Sequence, residues 1–381
     1  MSTPIDPQAA RLRDRLRGAL VAAALTPMTQ AGEVDLDLAE AYFQRLVASG
    51  ADALAVLAHT GRGPFLPPDV RAGVIARARR TGAPVIVGIG GTPPPAAPPP
   101  AAAAGSAARP PARSSRPPGL PAGCSGVART SAESGGVDQP SGPDTADRRD
   151  GGLRDSGGEV ATPVGTGDGP TRDTRAEAEP GAVADARMAA ELGADGVLVF
   201  PSPGDRVALH EAVWAAAGLP MIAFDLYTQP CPPATLRRIL HLPGVAGLKT
   251  ALLSDAMGCQ ETIALTREAG RLAITGEDRM FGPSLLWGAE AALVGIAAAS
   301  VETTAAVMRA FEGDDLRGFE KASARLDRLA AVTFTGPMEG YVQRMFWLAA
   351  AEGLIPESHA HDPYGPALPD GERAEVLAAA S

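Results

Sequence analysis

Lys249 stands alone in the apolar run Val245-Ala-Gly-Leu-Lys-Thr-Ala251. Burial penalises an ammonium ion, lowers its pKa and frees an amine that can attack a carbonyl carbon. Schiff-base chemistry on a carbonyl substrate needs that property. The alternative is a strand-end lysine that reaches solvent or pairs with an acid. Other polar residues occupy comparable places. Leu57-Ala-His-Thr-Gly-Arg62 brings His59, Thr60, Gly61 and Arg62 to the end of a second apolar run. A Thr-Gly pair there offers a hydroxyl and backbone N–H groups that suit a carboxylate. Ile222-Ala-Phe-Asp-Leu-Tyr227 and Thr275-Gly-Glu-Asp278 end two further runs. Polar groups at four strand ends of one barrel converge on one pocket.

The elements that must position these residues follow a repeating pattern. Strands are expected at Ala19–Thr26, Ala53–Ala58, Pro84–Gly90, Gly196–Pro201, Pro220–Tyr227, Val245–Ala251, Leu272–Asp278 and Ala291–Ala299. Each is nearly continuous in apolar residues, as parallel strands buried on both faces require. Helical stretches lie between them, among them Leu38–Ser49, Asp69–Arg80, Val183–Leu192, Ala234–Leu240 and Val301–Phe311. Eight strand–helix units in series predict an α/β fold, a closed (β/α)₈ TIM barrel, with a doubly wound open sheet as the alternative. Two or three further helices are expected from Asp315 onward. Catalytic groups in such a barrel sit at the C-terminal ends of the strands.

Between about Pro93 and Ala178 the composition changes. The stretch opens Pro93-Pro-Pro-Ala-Ala-Pro-Pro-Pro100 and contains no Phe, Trp, Tyr, Ile, Met, Lys or His. It has too little apolar surface to offset the entropy of ordering, so disorder is expected. A flexible lid or partner-binding arm is one reading. The other is a tolerated insertion without function, or an error in the gene or its translation. The expected organisation is a first barrel part (1–92), the insertion (93–178), a second barrel part (179–312) and a C-terminal helical extension (313–381).

A balance of 34 basic against 44 acidic residues gives a net charge of −10, which argues against nucleic-acid binding. No apolar run is long enough to span a membrane. Three widely spaced cysteines, Cys124, Cys231 and Cys259, have neither zinc nor disulfide spacing, which suits a cytoplasmic location. Gly88-Ile-Gly90-Gly91 is too short for a dinucleotide fingerprint.

In these motifs the chain resembles the family of dihydrodipicolinate synthase and N-acetylneuraminate lyase. The likeness runs from Leu25-Thr-Pro-Met28 and Gly32-Glu-Val-Asp35 through His59-Thr-Gly-Arg62, Pro84-Val-Ile-Val-Gly88 and Ala190-Glu-Leu-Gly-Ala-Asp-Gly196. It continues in Gly247-Leu-Lys249, Gly276-Glu-Asp278 and Gly288-Ala-Glu-Ala-Ala-Leu-Val-Gly295. The resemblance implies a class I lyase, an aldolase or dehydratase, with Lys249 forming the imine with pyruvate or another 2-oxo acid or sugar acid. It implies that Thr60 and Gly61 hold the substrate carboxylate and that Gly276 forms pocket wall. No metal or organic cofactor is implied beyond the covalent imine, and a homo-oligomer, a dimer or tetramer, is expected.

The departures are specific. The family's proton-shuttling tyrosine aligns with Phe224, and the asparagine after it is Asp225. The tyrosine expected after strand four is missing from Pro201-Ser-Pro-Gly-Asp205. Tyr227 could supply a phenol from a neighbouring position, or it is a rim residue packed on the next loop. His59 and Arg62 replace a threonine and a glutamate. His59 could bind an anion, act as acid–base group near neutral pH, or be a hydrogen-bonded wall residue. The alternative to an enzyme is a non-catalytic 2-oxo-acid-binding or regulatory paralogue of the same barrel.

Overall fold

The structure, a computed structural model, describes residues 4–91 and 180–380. Chain contacts divide the protein into a unit of Met1–Ala96 with Thr174–Ser381 and a second unit of Ala97–Asp173. The second unit, with the expected disordered insertion and Cys124, lies outside the described residues.

The first unit is a closed eight-stranded parallel barrel in which every strand pairs with its sequence neighbours and β8 closes on β1. Helix α1 (Pro7–Leu16) precedes β1 (Leu20–Ala23), and α2 (Leu36–Ala48) leads to β2 (Ala53–Val56). Then come α3 (Pro68–Arg79), β3 (Val85–Ile89), α4 (Pro180–Glu191), β4 (Gly196–Val199), α5 (Arg206–Ala217) and β5 (Met221–Leu226). The second half runs α6 (Pro233–Leu240), β6 (Val245–Ala251), α7 (Ala256–Glu268), β7 (Leu272–Thr275), α8 (Phe281–Leu286), β8 (Ala291–Val294) and α9 (Val301–Glu312). Three helices follow, α10 (Leu316–Thr333), α11 (Tyr341–Ala351) and α12 (Glu372–Ala380).

All eight expected strands are present, and the core strand Val245–Ala251 has the expected ends. Strands seven and eight are shorter than their apolar runs suggest. β7 stops at Thr275, because Glu277 and Asp278 turn out to accept N–H groups from neighbouring loops. The run Ala291–Ala299 leaves the sheet at Val294 and continues as a single 3₁₀ turn, Ile296–Ala298. Its residues are buried without being extended. Helix α1 is an addition to the sequence reading: Asp6 caps it at the Gln8 N–H, Pro7 starts it, and Ala9, Leu12 and Leu16 form its buried face. This spacing of three and four lies inside a stretch whose arginines dominate its composition.

The barrel has two packed layers. Side chains alternate along each strand, so Val21, Ala53, Ile86, Leu198, Ile222, Leu272 and Leu293 fill the interior together with α1. Their neighbours Leu20, Leu54, Val85, Val197, Met221 and Leu248 face the helices. Register places Phe224, Lys249 and Ile274 side by side. Lys249 therefore belongs to the interior layer, at the end of the barrel where the strands finish.

The chain after α10 folds back over that end. Arg344 on α11 is fully buried. Its guanidinium donates to the carbonyls of Thr333 (3.0 Å), Thr335 (2.9 Å), Gly336 (3.3 Å) and Pro337 (3.3 Å), and it pairs with Glu372. One side chain thus shapes the whole connection from α10 to α11. Replacing it leaves buried carbonyls and a carboxylate without donors. Arg344→Leu is expected to lower stability by roughly 3 kcal/mol or more, which is ~6 °C or more in the thermal midpoint. Thermal unfolding followed by circular dichroism reads this directly, and an unchanged midpoint would show that the connection is held by other contacts.

Candidate active site

Lys249 is buried, 7% exposed, in a chain that has one other lysine, Lys321. The remaining basic residues are arginines, which stay charged at any pH a protein meets. Its Nζ lies 4.2 Å from the centre of the Phe224 ring. No carboxylate comes within salt-bridge distance of it among the described residues. Burial brings its pKa down to about 8, against the opposing pull of Asp278 and Glu277. The lysine does not extend out to bulk solvent, and it pairs with no acid among the described residues. At pH 7 a group of this kind is roughly one-tenth free amine, against less than about 0.1% for an ordinary lysine.

Gly276, at the end of β7, makes room for the lysine stem. A Cβ there would sit 2.4 Å from Lys249 Cε and 2.9 Å from Cγ. The two acids that follow serve the scaffold as well as the field. Glu277 accepts the N–H groups of Leu252 and Leu253, and Asp278 accepts that of Ile296 at 2.7 Å. Burial pushes each carboxyl up to about 7, opposed by these donors and by Lys249. Together they tie the ends of β6 and β8 to β7.

The pocket in front of Lys249 has a volume of about 500 Å³ including its open mouth. His59, Thr60, Phe224, Tyr227, Lys249 and Gly276 all line it, so six of the residues singled out in the sequence meet there. The other three do not. Asp225 follows Phe224 and so points to the helix layer, where it accepts the Cys231 N–H at 2.7 Å. Alternation along β5 dictates this: if Phe224 faces the cavity, its neighbour cannot. Gly61 gives its carbonyl to the Thr26 hydroxyl at 2.8 Å and packs its Cα against the backbone of Ala24 and Leu57. Arg62 is buried and fully engaged. It grips Asp362 through Nε (3.2 Å) and Nη2 (2.6 Å) and reaches Glu339 through Nη1 (3.0 Å). Its role is to fasten the C-terminal chain to the barrel.

Sequence reasoning missed the contribution of that C-terminal chain. Phe334, Met338 and Tyr341 complete the pocket wall, as does Asp278 from the barrel. The Tyr341 hydroxyl lies 3.1 Å from Thr60 Oγ1. His59 Nε2 meets Glu339 Oε2 at 3.0 Å. Burial works to raise the Glu339 carboxyl, but the His59 and Arg62 donors outweigh it and hold it at about 2. A tyrosine within an amphipathic tail gave no signal of this, because its partner lies 281 residues away.

Three non-glycine residues near the pocket, Leu57, Arg62 and Leu253, adopt left-handed backbone with φ of 54 to 56°. Such conformations cost on the order of 1 kcal/mol each and gather where a site demands them. Among the described residues no group of three or more His, Cys, Asp or Glu side chains could hold a metal ion. Among the same residues no helix is long and apolar enough to cross a membrane.

Solved structures share this architecture. Dihydrodipicolinate synthase from Bacillus clausii superimposes with a TM-score of 0.67 over 97% of this chain and 98% of its own, at 12% identity. This chain has the fold of the dihydrodipicolinate synthases. N-acetylneuraminate lyase from Mycoplasma synoviae gives 0.62 over 96% and 97%, at 13% identity. The synthase from Acinetobacter baumannii, solved in complex with pyruvate, gives 0.64 over 96% and 97%, at 16% identity. In sequence, 74 residues are 36% identical to 4-hydroxy-tetrahydrodipicolinate synthase from Bifidobacterium animalis subsp. lactis, covering 19% of this chain and 24% of that protein. The match thus spans about a quarter of that relative's length. No protein-family model matches the chain.

The lowered Lys249 pKa has a directional consequence. Only the free amine reacts with an acylating reagent, so labelling should climb about tenfold per pH unit below pH 8 and level off above it. Peptide mass spectrometry after brief acetic anhydride pulses from pH 6 to pH 11 measures this, with exposed Lys321 as reference. An inflection near pH 10 at Lys249 would show that its ammonium is not desolvated.

Proposed function

We propose that this chain is a class I lyase, an aldolase or dehydratase, that acts on a pyruvate-like 2-oxo acid or sugar acid through an imine on Lys249. One observation carries the reading: a buried, unpaired amine with a pKa of about 8 faces an open pocket at the catalytic end of the barrel. The fold shared with a pyruvate-binding synthase supports the choice of substrate class.

The chemistry follows from the geometry. Lys249 Nζ attacks the C2 carbonyl carbon, the carbonyl oxygen leaves as water, and a protonated imine remains. That imine draws electrons from the adjacent bond, so a C–C bond or a β-leaving group can be broken beside it. The loop after β2, at His59 and Thr60, would hold the substrate carboxylate, with the Thr60 hydroxyl left on the Tyr341 oxygen. The covalent imine supplies the electron sink, so the reaction as proposed needs neither metal nor organic cofactor. Dialysis against EDTA should leave imine formation unchanged.

A non-catalytic 2-oxo-acid-binding barrel is the second reading. Phe224 favours it, because its ring stabilises the ammonium form by cation–π contact and transfers no proton. Adduct formation without cleavage of any substituted 2-oxo acid would select this reading.

The deciding experiment is borohydride trapping with pyruvate, followed by intact mass. The unsubstituted chain should gain one carboxyethyl group, and Lys249→Ala should gain none. The background is low, since only Lys321 and the terminal amine remain as competitors. No adduct from folded protein with pyruvate or a panel of larger 2-oxo acids would end the lyase reading. The chain is further proposed to form a dimer or tetramer; light scattering after size exclusion should give two or four chain masses, and a monomer would correct this.

A further inference from the structure

Imine formation moves protons as well as electrons. The carbonyl oxygen must collect two protons before it leaves as water, and Phe224 can deliver neither. The pocket offers two phenols, Tyr227 and Tyr341. They differ in every respect that matters to proton transfer.

Tyr227 follows β5 at the rim and is half-buried. Its backbone N–H bonds to the Ala251 carbonyl, and its hydroxyl has no hydrogen-bond partner among the described residues. Tyr341 is buried, 7% exposed. Its ring is stacked on Phe334 with centroids 5.0 Å apart and meets the His59 ring edge-on at 5.8 Å. Its hydroxyl is fixed by Thr60 Oγ1 at 3.1 Å. The helix that carries it is anchored by Arg344, and the turn before it is fastened to the barrel by Arg62 through Glu339. A proton-transfer group has to be held in place, because small displacements are expensive in rate. The Tyr341 hydroxyl is held by a partner and the Tyr227 hydroxyl is not.

We propose that Tyr341 is a catalytic residue, and that with Thr60 it forms a two-hydroxyl relay that protonates the departing oxygen during imine formation. This rests on the class I reading above. Lys249 Nζ forms the N–C2 bond, and one of its protons passes to the former carbonyl oxygen, giving the neutral carbinolamine. The Tyr341 O–H then donates to that oxygen as the C2–O bond breaks. Tyr341 takes a replacement proton from the Thr60 hydroxyl, and Thr60 takes one from water entering through the open mouth. The nitrogen lone pair forms the C=N bond, and the products are water and the protonated imine. Starting from the amine, one proton is consumed: water at the pocket mouth gives it up, and the hydroxide left there is neutralised by the bulk buffer. Neither hydroxyl carries a net charge before or after the step. This suits a phenol whose ionisation is strongly disfavoured by burial.

Either oxygen of the pair can be the donor, which lets the chain of hydrogen bonds reverse when the imine is hydrolysed. The relay also gives the C-terminal chain a chemical role. The barrel alone contributes the nucleophile, and the segment folded over its mouth contributes the acid.

The test is the rate of imine formation with pyruvate, read by borohydride quench at timed intervals and intact mass on the full chain. Tyr341→Phe keeps both ring contacts, and its rate should fall about 100-fold. The final adduct yield and the thermal midpoint should stay near those of the unsubstituted chain. Thr60→Val should slow the reaction to a similar extent, and Thr60→Ser should restore it. The double variant Tyr341→Phe with Thr60→Val should be little slower than either single one, as two members of one relay require. Tyr227→Phe should keep the unsubstituted rate. Tyr341→Phe reacting at the unsubstituted rate would overturn the proposal, as would multiplicative losses in the double variant. Absence of any adduct in the unsubstituted chain is a different result: it removes the class I reading itself, and the relay with it.

Discussion

Everything at this site depends on taking one ammonium ion out of water. The barrel interior is lined by small and branched apolar side chains, and Lys249 enters that layer from β6 between Phe224 and Ile274. Desolvation lowers the amine's pKa, and two nearby carboxyls oppose the shift without reaching the nitrogen. Their distance is itself arranged, since Glu277 and Asp278 are occupied by backbone N–H groups of the adjoining loops. An acid in direct contact would have kept the lysine charged. The same hydrogen bonds that knit three strand ends together therefore also keep the amine unpaired.

The second constraint is the closure of the barrel mouth by the C-terminal chain. The Arg62–Asp362 pair is almost wholly buried, at 2% and 0% side-chain exposure. Burying two charges is costly unless geometry is good, and here a forked guanidinium meets both carboxylate oxygens. Such a pair contributes more to choosing one arrangement than to stability, because any other placement of residues 338–362 would strand a charge. Glu339 is drawn into the same cluster by Arg62 and His59. The specificity of this clamp places Met338 and Tyr341 against the pocket.

Much of the fold was legible because strands buried on both faces leave an unbroken apolar trace. Val245–Ala251 is the clearest example. The same rule overextended the last strand, since Ile296–Ala298 is as apolar as the sheet yet forms a 3₁₀ turn. Helices α1, α5, α7 and α8 were harder, because their buried faces lie among polar or small residues. In the site, residues at strand ends could be found from the chain alone. Asp225 and Arg62 were misplaced in the pocket for two different reasons. Alternation turns Asp225 outward, and Arg62 answers to partners 277 and 300 residues away. Tyr341 was invisible for the second reason. Long-range pairing leaves no mark on local sequence.

Phe224 sharpens this reading. A phenyl ring under the lysine strengthens desolvation and offers its π-face to the ammonium, two effects that oppose each other in the amine's pKa. The balance still falls on the side of the free amine. What the ring cannot do is move a proton, and nothing else on β5 faces the cavity with a hydroxyl except at the exposed rim. The nearest solution available to the fold is a side chain from outside the barrel. Such a side chain has to be fixed as rigidly as a strand, and the burial of Arg344 among the carbonyls of the 333–337 connection fixes this one. A loosely packed tail would have covered the mouth equally well. One anchored this tightly holds a hydroxyl 3.1 Å from Thr60, a fixed position that the proposed relay needs and mere closure does not.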